Sequence, residues 1–152
     1  MNSTDELTVF DQARALLKGK AERLTSPRLL VLAALLQAKS ALTQAEVHVA
    51  VEKLSPAHVD RVTIYRVLDW LTEAGLAHRV SAGDRVFRFS ASINSHSHGH
   101  FHCSDCGRMF CIGTQPSGKQ AGLDASVRAL LPSGFVSGDI DLTISGRCAE
   151  CA

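Results

Sequence analysis

Through residue 79 the apolar positions recur with a helical period. The clearest case is residues 62–74, where Ile64, Val67, Leu68 and Leu71 fall at i, i+3, i+4 and i+7 and so share one helix face. Gly75 follows as the stop, because glycine accepts the left-handed conformation that ends a helix. Three more helices are predicted upstream. One covers residues 5–20. The next opens at Ser26-Pro27, with Ser26 as cap and Pro27 in the first turn, where no backbone N–H is needed, and it is expected to bury Leu29, Leu32, Leu35 and Leu36. The third opens on Thr43-Gln44-Ala45-Glu46, a capping box in which Thr and Glu each satisfy an orphan donor, and it ends near Lys53.

After Gly75 the period changes. Residues 76–81 and 85–90 are extended and β-prone, and Ala82-Gly83-Asp84 joins them as a hairpin. Helices followed by a hairpin predict a winged helix-turn-helix over residues 1–90. Residues 91–97 are polar and without period, as in a hinge. The remainder, 98–152, is predicted to be an α/β domain with a strand at 100–103, a helix at 119–131 stopped by Pro132, and a strand in which Ile140, Leu142 and Ile144 alternate. The fold class is therefore α+β.

Size sharpens this picture. A chain of 152 residues divided in two leaves units of about 70 residues, which bury little apolar surface and commonly need a metal or a partner chain. Charge adds little, since the net value is +1 and residues 1–79 carry ten Lys and Arg against nine Asp and Glu. Any DNA binding has to come from a local basic face. The polar, acidic start of the chain predicts neither signal peptide nor membrane anchor, hence a cytoplasmic protein with no membrane partner.

The cysteines change the picture most. All five, Cys103, Cys106, Cys111, Cys148 and Cys151, lie in the last third of the chain. Cys103-Ser104-Asp105-Cys106 and Cys148-Ala149-Glu150-Cys151 are two C-x-x-C knuckles, and four thiolates on one tetrahedral ion form a closed, structural zinc site with no position left for a substrate. A redox dithiol would need a single knuckle in a βαβ setting, which the pattern lacks. Histidines supply a second donor set: His78 near the end of the first domain, then His96, His98 and His100. In a strand His98, His100 and His102 face one way and Cys103 the other, so imidazoles and knuckle thiolates are expected to serve different metals. Cys111 would join the histidines, and an ion shared by this set would bridge the two domains.

On the 62–74 helix Tyr65 and Asp69 lie opposite the apolar stripe, with Arg61 a turn earlier and Arg66 beside them. Arg66 can offer two donors to guanine or bind phosphate, Tyr65 can lay its ring on a thymine methyl, and Thr63 can contact the DNA backbone. Arg28 and Arg61 are further candidates for phosphate contact. Two other classes compete with this reading. A zinc enzyme built on His98, His100 and Cys111 would need a general base, yet no Glu occurs between Ala74 and Ala149, so no enzyme is expected. A zinc carrier would leave the Tyr65 and Arg66 edge without a use.

Taken in order, Leu24-Thr25-Ser26-Pro27-Arg28, Val62-Thr63-Ile64-Tyr65-Arg66-Val67-Leu68, His98-Gly99-His100, Cys103-Ser104-Asp105-Cys106-Gly107 and Gly146-Arg147-Cys148-Ala149-Glu150-Cys151 resemble the ferric uptake regulator family. Asp69-Trp70-Leu71 and Gly75-Leu76-Ala77-His78-Arg79-Val80 are most similar to its zinc uptake regulator branch. The resemblance implies a homodimer that binds an AT-rich inverted-repeat operator in double-stranded DNA when loaded with metal and represses metal-uptake genes. It implies Tyr65 and Arg66 as base readers. The chain departs from the family at Arg88, a strand position that often carries an acidic or cysteine ligand, and at Ala41, an early-helix position that is sometimes His. Gly99 stands where a third, peripheral site usually has an acidic residue. Cys111 replaces an acidic ligand, and thiolate with imidazole is a softer set that suits zinc better than ferrous iron as the second, regulatory divalent metal. Iron or peroxide sensing is the alternative within the family.

Overall fold

The computed structural model describes residues 3–20, 23–81, 83–92, 99–112, 125–136, 138, 140 and 142–152. The chain forms two compact units, Met1–Ser95 and His96–Ala152.

The first unit runs α1 (Ser3–Lys18), α2 (Ser26–Gln37), β1 (Leu42–Thr43), α3 (Gln44–Leu54), α4 (Arg61–Glu73), β2 (Ala77–Ser81) and β3 (Phe87–Ala91). Its centre is α2, which packs against α1, α3, α4 and β3. Leu30, Val31, Leu32, Ala33, Ala34 and Leu35 are all buried there, while Leu29 and Leu36 are only partly so, which corrects the predicted leucine stripe. A helix covered on every side has no solvent face, so no amphipathic period marks which residues are inside. Its cap is corrected too. Thr25 is the N-cap and makes no side-chain cap bond, and Ser26 already belongs to the helix.

The α3 capping box forms as expected: the Glu46 N–H donates to Thr43 Oγ1 at 3.3 Å and the Thr43 N–H to Glu46 Oε2 at 2.8 Å. The buried residues of α4 are the expected four, Ile64, Val67, Leu68 and Leu71. Gly75 sits at φ 74°, so a side chain there would be strained. The wing is the antiparallel pair β2–β3, with His78 opposite Ser90, and β1 adds to the other edge of β3 to give the order β1-β3-β2. At two residues β1 is too short to show any alternation.

The second unit holds β4 (Gly99–Cys103), β5 (Met109–Ile112) and β6 (Leu142–Gly146) in the order β5-β4-β6. β4 pairs antiparallel with β5 and parallel with β6. A Cβ on Gly99 would lie 2.9 Å from Ile112 Cγ1, so the bare backbone is what lets β5 close on β4. Of the expected 119–131 helix, residues 119–124 lie outside the described residues and 125–128 are helical. The helix stops short of Leu131. Leu130 and Leu131 instead bond i→i−3 to Val127 and Arg128, the tightened last turn that precedes Pro132. Ile140 lies before β6, not within it. Among the described residues of this unit the buried side chains are His100, Cys103, Met109 and Cys148.

Candidate metal centres and nucleic-acid interface

The knuckles meet where β4 and β6 end side by side. Cys103 closes β4, and Gly107 at φ 70° turns the chain back, its N–H donating to the Cys103 carbonyl at 2.9 Å. Ser104 ties the two knuckles together, its N–H and its hydroxyl donating to the Gly146 carbonyl at 2.8 and 2.9 Å. The Sγ atoms of Cys103, Cys106, Cys148 and Cys151 then lie within 4.8 Å of one another, and Cys106 and Cys148 are 3.9 Å apart. Zinc–sulfur bonds of about 2.3 Å at the tetrahedral angle put thiolates about 3.8 Å apart, so the residues fit such an ion.

Local donors prepare these thiols. The backbone N–H groups of Cys106 and Cys148 draw the Cys103 thiol down to about 6. Arg108 lowers Cys106, its Nε lying 3.3 Å from that sulfur. Its other end is held by Glu150 and reaches Cys148 Sγ at 3.7 Å. Cys151 goes the other way, pushed up to about 12 by its hydrogen bond to Cys148 and by burial. Metal uptake must therefore displace at least that last proton. The knuckle motif does not reveal Arg108. Its signal is only a cation two residues past a metal-binding cysteine.

His100 and Cys111 stand directly opposite each other across β4–β5, His100 buried and Cys111 half-buried. They are separate from the knuckle cluster because strand alternation sends His100 and Cys103 to opposite faces of β4. His78 lies half-buried on β2 of the first unit. His96 and His98 lie outside the described residues. Arg88 is buried and donates to both Asp84 carboxylate oxygens, at 2.9 and 3.3 Å, so it offers no electron pair to a metal. Ala41 is not in a helix but is a buried bridge residue just before β1.

Along α4, Arg61, Val62, Tyr65 and Arg66 are exposed on one side while the apolar four are buried on the other. The helix is capped by Asp60, a role the sequence reading missed. Asp60 Oδ1 accepts from the Thr63 N–H at 2.9 Å and Oδ2 from the Thr63 hydroxyl at 2.6 Å, and these bonds hold the carboxyl below its ordinary value. The D-x-x-T spacing was the available signal. Thr63 thus spends its hydroxyl proton on the cap. Arg28 lies 3.9 Å over the Trp70 ring and donates to the Arg23 carbonyl, which ties α2 to α4. In the wing, Arg79 lies 4.5 Å over the exposed Phe87 ring.

Residues 20–122 match the ferric uptake regulator family. The ferric uptake regulation protein of Haemophilus ducreyi is 30% identical over 103 residues, which cover 62% of this chain and 64% of that protein. The Bacillus subtilis ferric uptake regulation protein is 29% identical over 103 residues, 66% of this chain and 68% of its own length. The chain thus spans just under two thirds of the Haemophilus relative it matches. Among solved structures, a zinc uptake regulator complexed with zinc and DNA has a TM-score of 0.67 at 23% identity, over 99% of this chain and 96% of that one. The ferric uptake regulator of Francisella tularensis with iron has a TM-score of 0.67 at 22% identity, over 85% and 93%. At such identities the likeness is one of fold.

Proposed function

Because the chain belongs to the ferric uptake regulator family, we propose that it is a zinc-sensing transcriptional repressor, acting in the cytoplasm as a homodimer on an AT-rich inverted-repeat operator to control metal-uptake genes. Residues 1–90 bind DNA and 98–152 bind metal and dimerise, and the hinge expected at 91–97 starts only after Ala91, which closes β3. The knuckle cysteines hold a structural Zn2+, and a second Zn2+ is sensed.

The observation that carries this reading is Cys111 facing His100 across β4–β5, apart from the knuckle cluster. It supplies a second donor set, and its thiolate favours zinc over ferrous iron. His78 and His98 complete the set, with His96 in reserve, so that one ion clamps each DNA-binding unit to the dimer core. Operator half-sites demand a defined separation between two recognition helices, and the clamp selects it. A hundredfold gain in DNA affinity corresponds to about 2.7 kcal/mol of coupling, and linkage requires DNA to tighten the metal equally. The exposed edge of α4 supports base reading by Tyr65 and Arg66, with Thr63, Arg61 and Arg28 beside the backbone. Leu130, Phe135, Val136 and Ile144 are exposed on the second unit, apolar surface that suits a second copy of the chain.

The curated relatives named above are ferric uptake regulators, which favours iron as the second reading. Operator affinity measured across buffered zinc, ferrous and manganous ions decides between them. Zinc should act at the lowest free concentration, and Cys111→Ser should raise the zinc needed while the structural zinc stays bound. A ferrous response at lower free metal would move the assignment to iron.

A further inference from the structure

A third group of metal donors lies in the first unit, far along the chain from the knuckles. His48 and Glu52 are four residues apart on α3 and so share one helix face. His58 comes from the connection between α3 and α4. Glu52 Oε1 is 3.8 Å from His48 Nε2 and 3.9 Å from His58 Nδ1, and the three residues place their ligand atoms within 4.8 Å of one another. Among the described residues the ion-pair partners of Glu52 are these two imidazoles.

We propose that His48, Glu52 and His58 form a low-affinity zinc site, with water as fourth ligand, that fastens α3 to the turn leading into the recognition helix. Two imidazoles and a carboxylate suit zinc, and such a three-ligand set leaves one position open. Tetrahedral ligands on bonds of about 2.0–2.1 Å lie about 3.4 Å apart, so the pairs at 3.8 and 3.9 Å have about half an ångström to close. His58 and Glu52, whose side chains are 74% and 50% exposed, have room to move that far.

Several features make the site weaker than the four-thiolate one. It has three protein donors among the described residues, most of it faces water, and His48 Nε2 already bonds the Val59 carbonyl at 3.1 Å, a bond the ion must replace. The site therefore fills only after the tighter ones, when free zinc is high. Its position gives it a consequence. His58 is followed by the buried Val59 and then by Asp60, the cap of α4. An ion held by α3 and by His58 restrains the turn on both sides and so orders the start of the helix that carries Tyr65 and Arg66. This effect on DNA rests on the function proposed above, whereas the metal site does not.

The test uses the full chain with Zn2+ alone, followed by imidazole-nitrogen NMR. After the tight equivalents are filled, the resonances of His48 and His58 should move together, and one further equivalent should bind. The variants His58→Ala and Glu52→Gln should lose that equivalent while keeping the unfolding temperature of the metal-limited wild type. With operator DNA present, high zinc should raise wild-type affinity about three- to tenfold beyond its first plateau, and His58→Ala should stop at that plateau. Unmoved His48 and His58 resonances, or an unchanged zinc capacity in both variants, overturn the site. A site that fills without changing DNA affinity overturns only its regulatory consequence, and a failure of operator binding altogether overturns the repressor reading instead.

Discussion

Replacing Cys148 with Ser should unfold the second unit and spare the first. The reason lies in what each unit buries. The first has a continuous core drawn from every helix and from β3. In the second, the buried side chains among the described residues are His100, Met109 and two knuckle cysteines. Burying one Met contributes about 1.5–3 kcal/mol. A structural zinc in a small domain contributes on the order of 10–16 kcal/mol of apparent binding energy, all of it folding energy when the site exists only in the folded chain. Among the described residues the ion thus outweighs the term from fully buried apolar side chains several-fold, and a serine hydroxyl does not replace a thiolate ligand. Arg108 would also lose its contact with the Cys148 sulfur. Hydrogen exchange read by NMR gives the direct assay. Amides of β4 and β5 should exchange at unfolded rates in Cys148→Ser, those of α2 and α4 should stay protected, and bound zinc should fall by one tight equivalent. Protected β4 amides in a variant that has lost its zinc would refute the reasoning, since the unit would then have a core of another kind.

Two further outcomes are expected. Arg66→Ala should weaken specific operator binding by about 1–3 kcal/mol with zinc content unchanged, measured by gel shift at fixed salt, and equal losses on specific and random DNA would make it a phosphate contact. At Asp60, the Thr63 bonds hold the folded carboxyl below its ordinary value of 3.8. The stability it contributes is therefore complete above that value and is lost as pH falls below it. Melting curves of wild type and Asp60→Asn should differ at neutral pH and converge in acid, whereas a constant gap would show that the carboxylate charge is not what caps α4.

The helical unit was legible in the sequence wherever an element has one wet face and one dry face. α4 shows its four core residues because the others meet water, and the α3 capping box is a local bond pattern that needs no tertiary partner. α2 misled because it is surrounded, and β1 escaped because two residues carry no period. The knuckles were legible as chemistry, since metal-ligand spacing is a short-range constraint. Arg108 and Asp60 were not singled out, because an arginine beside a cysteine and an aspartate before a helix are common in chains where they do neither job. The His48, Glu52 and His58 group was missed for a related reason: His58 follows α3 by a turn of unpredictable path, so the spacing 48, 52, 58 reads as scattered polar residues until the turn is seen.

The parallel pairing of β4 with β6 bears on the order of events during synthesis. Cys106 and Cys148 are 42 residues apart. At about 5–20 residues per second, the second knuckle leaves the ribosome about 2–8 s after the first. The first unit is already made by then, and its helices close through short-range contacts. The strand that should zip alongside β4 does not yet exist, and non-local parallel ladders form slowly even when both partners are present. In that interval Cys103 and Cys106 are two thiols without their counterparts, and Cys103, which the finished fold buries, is open to oxidants and to competing metals. Supply of the correct ion at the moment the second knuckle emerges would then set the yield of working protein. Chains translated without that ion should have a finished first unit and an unfilled first knuckle.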